Sequence, residues 1–147
     1  MALLVINAIV GPVDLDEWIK DTFRSTLDTL DGVAGIRRFS LRRLDRDGPK
    51  CLYVSATHWE EMGAFLHWWG SDRFKAAHHG CMRYQQDRFR MLTSKRYDVA
   101  DVEDFTGLDA TIVGLVAEDL PALVSPQSTF TEVDIWAPAP LVDRAAR

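Results

Sequence analysis

The sequence predicts an α+β fold in which an antiparallel sheet carries helices on one face. Three observations predict it. A strongly apolar stretch opens the chain at residues 2–10, two shorter apolar stretches flank an Asp-Gly turn at residues 45–49, and segments with helical periodicity separate them. With 147 residues the chain is long enough to bury a single core, and we expect one domain over residues 1–147.

Composition and motifs exclude several classes of protein. The net charge of −5 argues against a basic nucleic-acid-binding surface, and no stretch approaches the ~20 apolar residues that span a membrane. A Gly-rich phosphate loop, a GxSxG elbow, HExxH and CxxC are all absent from the sequence. The two cysteines, Cys51 and Cys81, form neither a disulfide framework nor a metal-ligand spacing. We therefore expect a cytoplasmic protein that binds neither nucleic acid nor membranes.

The apolar opening is predicted to be a buried strand rather than a targeting segment. No basic residues precede it, and Asn7 and Pro12 interrupt it early. In an extended chain Asn7 shares a face with Val5 and Ile9. An amide buried among apolar side chains is costly unless a partner bonds it. Asn7 is therefore either a structural residue bonded to backbone or a residue that points into a pocket.

A helix and a strand hairpin are predicted next. Gly11-Pro12 ends the first strand, and Asp14 with Glu17 three residues later indicates a helix start, with the helix continuing to about residue 30. Its apolar residues recur every three to four positions: Leu15, Trp18, Ile19, Phe23, Leu27 and Leu30. Residues 33–44 and 51–56 then predict two strands joined by the Asp-Gly turn.

The middle of the chain predicts two consecutive helices. The first covers about residues 60–69 and ends at Gly70. Ser71 or Asp72 then caps a second helix, whose pattern continues to about residue 92.

The last third of the chain leaves one element open. Residues 95–102 predict a short strand and residues 103–109 a loop. Residues 111–123 fit either a short helix or another apolar strand, because β-branched residues occupy their first half. Residues 128–136 have strand composition, and residues 138–147 form a polar tail that we expect to be flexible.

The predicted order of elements is compatible with a ferredoxin-like split βαβ arrangement. Helices would cover one face of such a sheet. The other face, if apolar, also needs a cover, and a second copy of the chain forming a shared barrel would provide it. We therefore expect a homodimer.

Residues 59–79 are the most unusual stretch, with three of the five tryptophans and three of the four histidines. Helical phase groups Trp69 with Phe65 and Met62, which predicts a core position for Trp69. Trp68 points about 100° away from it and can face a cavity. The adjacent tryptophans thus predict one core residue and one cavity residue.

His78 is the candidate ligand in this stretch. It shares a helical face with Phe74 and with either Cys81 or Met82. One neutral imidazole on an apolar helical face is a common way to hold heme iron, and Phe74 and Met82 would supply apolar surface around the porphyrin. The alternative is a partly exposed histidine with no ligand role. His79 points about 100° away and is expected to face solvent.

Two segments, VINAIV near the start and THWEEMGAFLHWWGSDRFKAAHH in the middle, resemble the antibiotic-biosynthesis-monooxygenase superfamily. Within it they are most similar to the heme-degrading monooxygenases of the IsdG and MhuD type. The shared pattern is an Asn on the first strand, a Trp ending the helix that follows a strand-ending Trp, and a His ten residues later. Here these residues are Asn7, Trp68 and His78, with Trp59 as the earlier tryptophan. The resemblance covers roughly residues 1–80.

The resemblance implies a dimeric α+β barrel with one active site in each subunit. It implies His78 as the proximal ligand of heme iron, Asn7 as a hydrogen-bond donor to iron-bound oxygen, and Trp68 as the residue that distorts the porphyrin. Heme would be both cofactor and substrate, and an external reductase or reductant would supply electrons. The products would be a bilin-like chromophore and free iron.

Other functions stay open at this stage. The chain looks longer than relatives of this type, with an enlarged segment at about residues 81–126 that could change the substrate. One alternative is a cofactor-independent monooxygenase of the same superfamily, acting on a polyketide-like aromatic molecule with the help of Asn7 and a tryptophan. Others are a heme-binding protein without turnover and a structural dimeric domain. Arg24, Arg37 and Arg83 are equal candidates to bind heme propionates.

Overall fold

The apolar opening of the chain forms an interior strand of an antiparallel sheet. The structure is a computed structural model that describes residues 2–45, 50–81, 90–100 and 104–138. The strands within these ranges are β1 Ala2–Pro12, β2 Ile36–Asp45, β3 Lys50–Trp59, β4 Arg90–Val99 and β5 Thr131–Trp136. Their order is β4-β1-β3-β2-β5, and every neighbouring pair is antiparallel. The predicted α+β, ferredoxin-like fold is confirmed.

Four helices lie within the described ranges: α1 Asp16–Asp28, α2 Met62–Trp69, α3 Asp72–Cys81 and α4 Phe105–Asp119. A 3₁₀ turn, Val13–Leu15, precedes α1, so the predicted helix start at Asp14 falls inside that turn. The predicted cap of α3 is confirmed, because the backbone N–H of Phe74 donates to Ser71 Oγ at 3.2 Å. None of the described helices has the length and apolar character that crossing a membrane requires.

Alternate residues of β1 pack into two separate cores, one on each face of the sheet. Leu3, Val5 and Ile9 pack with α1, α2 and α3 on the first face. The second core combines residues of β1 and β3 with residues of α4: Leu4, Ile6, Ala8, Leu52, Val54, Ala56, Leu108, Ile112, Val116 and Ala117. The predicted helical layer is thus α1–α3, and α4 adds a cover on the other face.

α4 comes from the segment whose structure the sequence left open. The prediction of a loop at residues 103–109 is wrong from Phe105 onward, because the Asp104 side chain caps the helix by accepting from the N–H groups of Thr106 and Gly107. Of the two alternatives for residues 111–123, the helical one holds as far as Asp119. The enlarged segment of about residues 81–126 therefore contains a cover for the sheet.

β4 begins earlier than predicted. Residues 90–92 belong to this strand rather than to the end of a helix, because the ladder with β1 extends to Arg90 opposite Val10. The expected flexible tail is residues 138–147, and all of it except Pro138 lies outside the described ranges.

Two buried arginines of β2 bind α4 to the sheet. Asp109 of α4 accepts hydrogen bonds from Arg38 and Arg42, and the Arg42 contact is 2.7 Å long. The Arg38 guanidinium also lies 4.4 Å from the centre of the Phe105 ring. Burial alone would raise the pKa of Asp109, but the hydrogen bonds and charges of Arg42 and Arg38 outweigh burial and lower it. The apolar face, for which the sequence predicts a second copy as cover, is thus covered by α4 of the same chain.

Candidate active site

A cavity of about 260 Å³ opens between the sheet and helices α1–α3. Its floor is the first face of the sheet, and its walls are mostly aromatic. The described lining residues are Val5, Asn7, Phe23, Thr26, Phe39, Ser55, Thr57, Phe65, Trp68, Trp69, Phe74, Met91, Ser94 and Arg96.

A row of polar residues crosses the cavity floor. Asn7 lies on β1 between Ser55 of β3 and Ser94 of β4 in the strand register. The Asn7 side chain is half-buried, and its Nδ2 donates to Ser55 Oγ at 3.4 Å, which is long for a hydrogen bond. Of the two roles that the sequence allows for Asn7, the pocket role fits the geometry, and the amide keeps capacity to bond a ligand.

The two adjacent tryptophans have different environments. Trp68 is 6% exposed, packs against Trp59 and Phe74, and donates from Nε1 to Thr29 Oγ1 at 3.0 Å. Trp69 is 51% exposed at the rim of the cavity. The prediction that Trp69 is the core residue of the pair is wrong, whereas Trp68 does line the cavity, as a buried wall.

The physical reason lies in the packing of α2. Phe65 and Trp68, three residues apart, form its buried face because both pack against Trp59 at the end of β3. Met62 and Trp69 therefore lie beside this buried face rather than in it, and both are exposed.

α3 brings Phe74 to the cavity, where its side chain is 9% exposed. His78 follows one turn later on the same helix. The His78 side chain and all of Met82 and Arg83 lie outside the described part of the chain. The predicted heme-binding roles of His78 and Met82 therefore stay predictions.

Arg96 is a functional candidate that the sequence analysis missed. It lies on β4 opposite Val5, in the row next to Asn7. Its guanidinium carbon is 4.9 Å from the centre of the Phe65 ring and 5.8 Å from that of Trp69. The earlier candidates Arg24 and Arg37 do not line the cavity, and Arg24 instead pairs with Asp134 at 3.1 Å.

The described lining residues offer few kinds of polar group. Asn7, Ser55, Thr57 and Ser94 offer neutral hydrogen-bonding groups, and Arg96 offers a positive charge. None of the described lining residues is a histidine or a carboxylic acid. Across the described ranges, moreover, no group of three or more His, Cys, Asp or Glu side chains is placed to hold a metal ion. The described part of the site is therefore suited to binding a flat aromatic molecule with a polar edge.

A family model of antibiotic biosynthesis monooxygenases matches residues 3–80, which include β1 and the tryptophan-rich stretch. The chain belongs to the antibiotic biosynthesis monooxygenase family. The wider of the two resemblances drawn from the sequence is thus confirmed, and the narrower one to heme-degrading members stays a prediction. The family match includes Asn7, Trp68 and His78, and it ends before Arg96.

Solved structures of SnoaB and Rv0793 share the fold at low sequence identity. SnoaB, a cofactor-independent oxygenase from Streptomyces nogalater, is 14% identical over 70% of this chain and 98% of its own, with a TM-score of 0.53. Rv0793 from Mycobacterium tuberculosis is 14% identical over 71% and 100%, with a TM-score of 0.51. The heme-degrading protein Rv3592 from Mycobacterium tuberculosis is 21% identical over 69% and 99%, with a TM-score of 0.48. No curated protein matches the sequence.

Proposed function

We propose that this family member is a monooxygenase that oxidises a flat, electron-rich aromatic molecule in the cavity, with the substrate itself reducing dioxygen. The observation that carries the proposal is an aromatic cavity with the polar Asn7 row on its floor. Its volume of about 260 Å³ lies just below the roughly 300–1,000 Å³ typical of sites for drug-sized ligands. A molecule of a few fused rings suits this space better than a whole porphyrin does.

The walls and the floor of the cavity would bind different parts of the substrate. Rings on α2 and α3 offer faces for offset or edge-on stacking, each such pair contributing about 0.5–1.5 kcal/mol beyond buried area. Asn7, Ser55 and Thr57 would bond the oxygen substituents of the substrate from below. This division would orient the ring plane toward the helices and its reactive polar edge toward the sheet.

The reaction that fits is conversion of the methylene of an anthrone, whose ring ketone makes that methylene acidic, into a second ketone. The substrate loses a proton to solvent water and becomes an enolate, whose carbon gives electrons to dioxygen and forms a C–O bond. The O–O bond then breaks, one oxygen stays as the carbonyl and the other leaves as water with the two hydrogens of the methylene. One CH₂ and one O₂ thus give one C=O and one H₂O, so no external reductant is consumed.

Asn7 has the clearest role in this scheme. Its amide N–H would donate to the oxygen on which negative charge develops. The described lining residues include no carboxylate or imidazole, and in this scheme the acidic methylene gives its proton to solvent water.

The proposal is tested with dithranol, an anthrone, under ¹⁸O₂. We expect the protein to accelerate formation of the quinone above the rate in buffer, with one ¹⁸O in the new carbonyl. As a control, Arg24→Ala changes an exposed residue outside the cavity and should oxidise dithranol at the wild-type rate. Oxidation no faster than in buffer, or a new carbonyl without label, would contradict the proposal.

Heme degradation is a second candidate, favoured by the place of His78 one turn after the cavity-lining Phe74. Heme would be the substrate, and His78 and Asn7 would be the residues that hold it. Its iron would supply the oxygen-activating chemistry, and an external reductant would supply electrons for release of iron and a bilin-like product. The cavity of about 260 Å³ would have to widen to admit the porphyrin.

Hemin titration separates the two candidates. Heme degradation predicts a shift of the hemin Soret band that His78→Ala abolishes and that His67→Ala on the exposed side of α2 preserves, and it predicts that the shifted band decays with ascorbate in air. A shifted band that persists under reductant would indicate a heme-binding protein without turnover. No shift with the wild type would reject heme as a ligand.

We also propose that either reaction takes place in the cytoplasm, where the buried free thiol of Cys51 would stay reduced. The homodimer implied by the family resemblance stays a prediction, which light scattering of the purified protein tests.

A further inference from the structure

Arg96 stands at the mouth of the cavity with its charge available to a ligand. Its side chain is exposed, and its guanidinium lies over Phe65 and Trp69, whose rings stack with centroids 6.4 Å apart and planes 26° apart. Among the described residues, no carboxylate pairs with Arg96, and Asp98, two residues further on the same strand face, forms no ion pair with it. Within the described part of the chain, Arg96 thus contacts ring faces and no acid.

This arrangement suits the recognition of an anion. A guanidinium lying over an aromatic ring keeps its in-plane N–H donors available, and their fork geometry matches two oxygens at once. Arg96 is the one charged residue among the described residues that line the cavity. Because the whole chain carries a net charge of −5, attraction of an anion must come from this local charge rather than from the protein as a whole.

We infer that Arg96 is a specificity-determining residue that selects planar aromatic substrates carrying an anionic oxygen, either a carboxylate or the phenolate or enolate form of a hydroxyl. This inference rests on the proposed function, since it takes the cavity as the substrate site. It adds the substrate class, because neutral aromatic compounds of the same shape would bind less tightly.

The strand register places Arg96 beside the Asn7 row. Arg96 and Val5 form one row across the sheet, and Ser94 and Asn7 form the next row on the same face. All four residues line the cavity, so a planar substrate whose anionic oxygen meets Arg96 would extend toward Asn7. Arg96 would also stabilise the deprotonated form, which matters because the described lining holds no base.

The test compares two probes of nearly equal shape, anthracene-2-carboxylate and anthracene-2-carboxamide, by fluorescence anisotropy. We expect the wild type to bind the carboxylate at least fivefold more tightly than the carboxamide. Arg96→Gln should reduce that preference to within twofold while leaving the carboxamide affinity unchanged within twofold. Arg96→Lys should retain part of the preference, because it keeps the charge and loses the fork of donors.

Arg24→Gln is the matched control, because Arg24 is also an exposed arginine and lies outside the cavity, so its carboxylate preference should equal that of the wild type. Equal wild-type affinity for the two probes, or an unchanged preference in Arg96→Gln, would overturn the assignment. Loss of dithranol oxidation with the carboxylate preference intact would reject the proposed function and leave the Arg96 assignment standing. Dithranol oxidation without a carboxylate preference would support the proposed function and reject the Arg96 assignment.

Discussion

The same strands form both faces of the sheet, but one face borders a cavity and the other packs against a helix. On the first face α1–α3 leave a cavity over Asn7, Ser55 and Thr57. On the second face α4 packs directly onto Leu4 and Ile6. Because side chains alternate along a strand, neighbouring residues of β1 can serve binding on one side and stability on the other.

Polar groups serve different purposes on the two faces. Arg38 and Arg42, buried on the second face, both pair with Asp109. Asn7 on the first face has one long hydrogen bond to Ser55. Paired charges hold α4 in place, whereas an amide with spare bonding capacity is available to a ligand.

The largest expected effect comes from removing the acid that holds α4. Asp109→Ala would remove the acid that Arg38 and Arg42 share, leaving Arg42 only its 3.9 Å contact with Glu132, and should lower the free energy of unfolding by about 3 kcal/mol, the low end of the range for such changes because Asp109 is itself partly exposed. Chemical denaturation measures it. Asp134→Ala breaks the pair with the exposed Arg24 and should cost at most about 1 kcal/mol. Equal losses in the two variants would show that α4 is not fixed by this cluster.

The tryptophan pair gives the next effect. Trp68→Phe removes the hydrogen bond to Thr29 and part of a buried ring, and should lower the free energy of unfolding by about 1–2 kcal/mol. Trp69→Phe at the exposed rim should change it by less than about 0.5 kcal/mol. Urea unfolding of both variants checks the difference, and a larger loss for Trp69→Phe would reverse the assignment of core and rim.

A smaller effect is the pH dependence of the α4 contact. The pKa of Asp109 is lowered in the folded chain, so its contribution is present above the unfolded value near 3.8 and is lost as pH falls through the folded value. Between about pH 6 and pH 3, unfolding free energy should therefore fall more for the wild type than for Asp109→Asn. An equal fall in unfolding free energy for the two proteins would show that Asp109 does not cause the pH dependence.

Much of the first face could be predicted from the sequence because its signals are local. Alternation in residues 2–10 places Asn7 on one face of β1, and Ser71 marks the start of α3. Arg96 could not be recognised in this way, because its place in the cavity depends on the register of β4 against β1. That register depends on residues far apart in the chain rather than on the residues around Arg96.

The errors have particular physical causes. Helical phase alone predicted that Trp69 is a core residue. The buried face of α2 is instead decided by the packing of Phe65 and Trp68 against Trp59. The β-branched residues at the start of 111–123 concealed α4, although Asp104 carries a usable capping signal. Tertiary contacts override local preference at both places.

The most direct test of the central claim is the steady-state oxidation of dithranol by Asn7→Ala, beside Ser40→Ala. Both variants remove a polar side chain from the sheet, Asn7 from the cavity face and Ser40 from a buried position on β2 outside the cavity lining. We predict that Asn7→Ala lowers kcat about 10- to 100-fold with unfolding free energy changed by less than about 0.5 kcal/mol, and that Ser40→Ala keeps wild-type kcat. Wild-type kcat in Asn7→Ala, or an equal loss in both variants, would contradict the account.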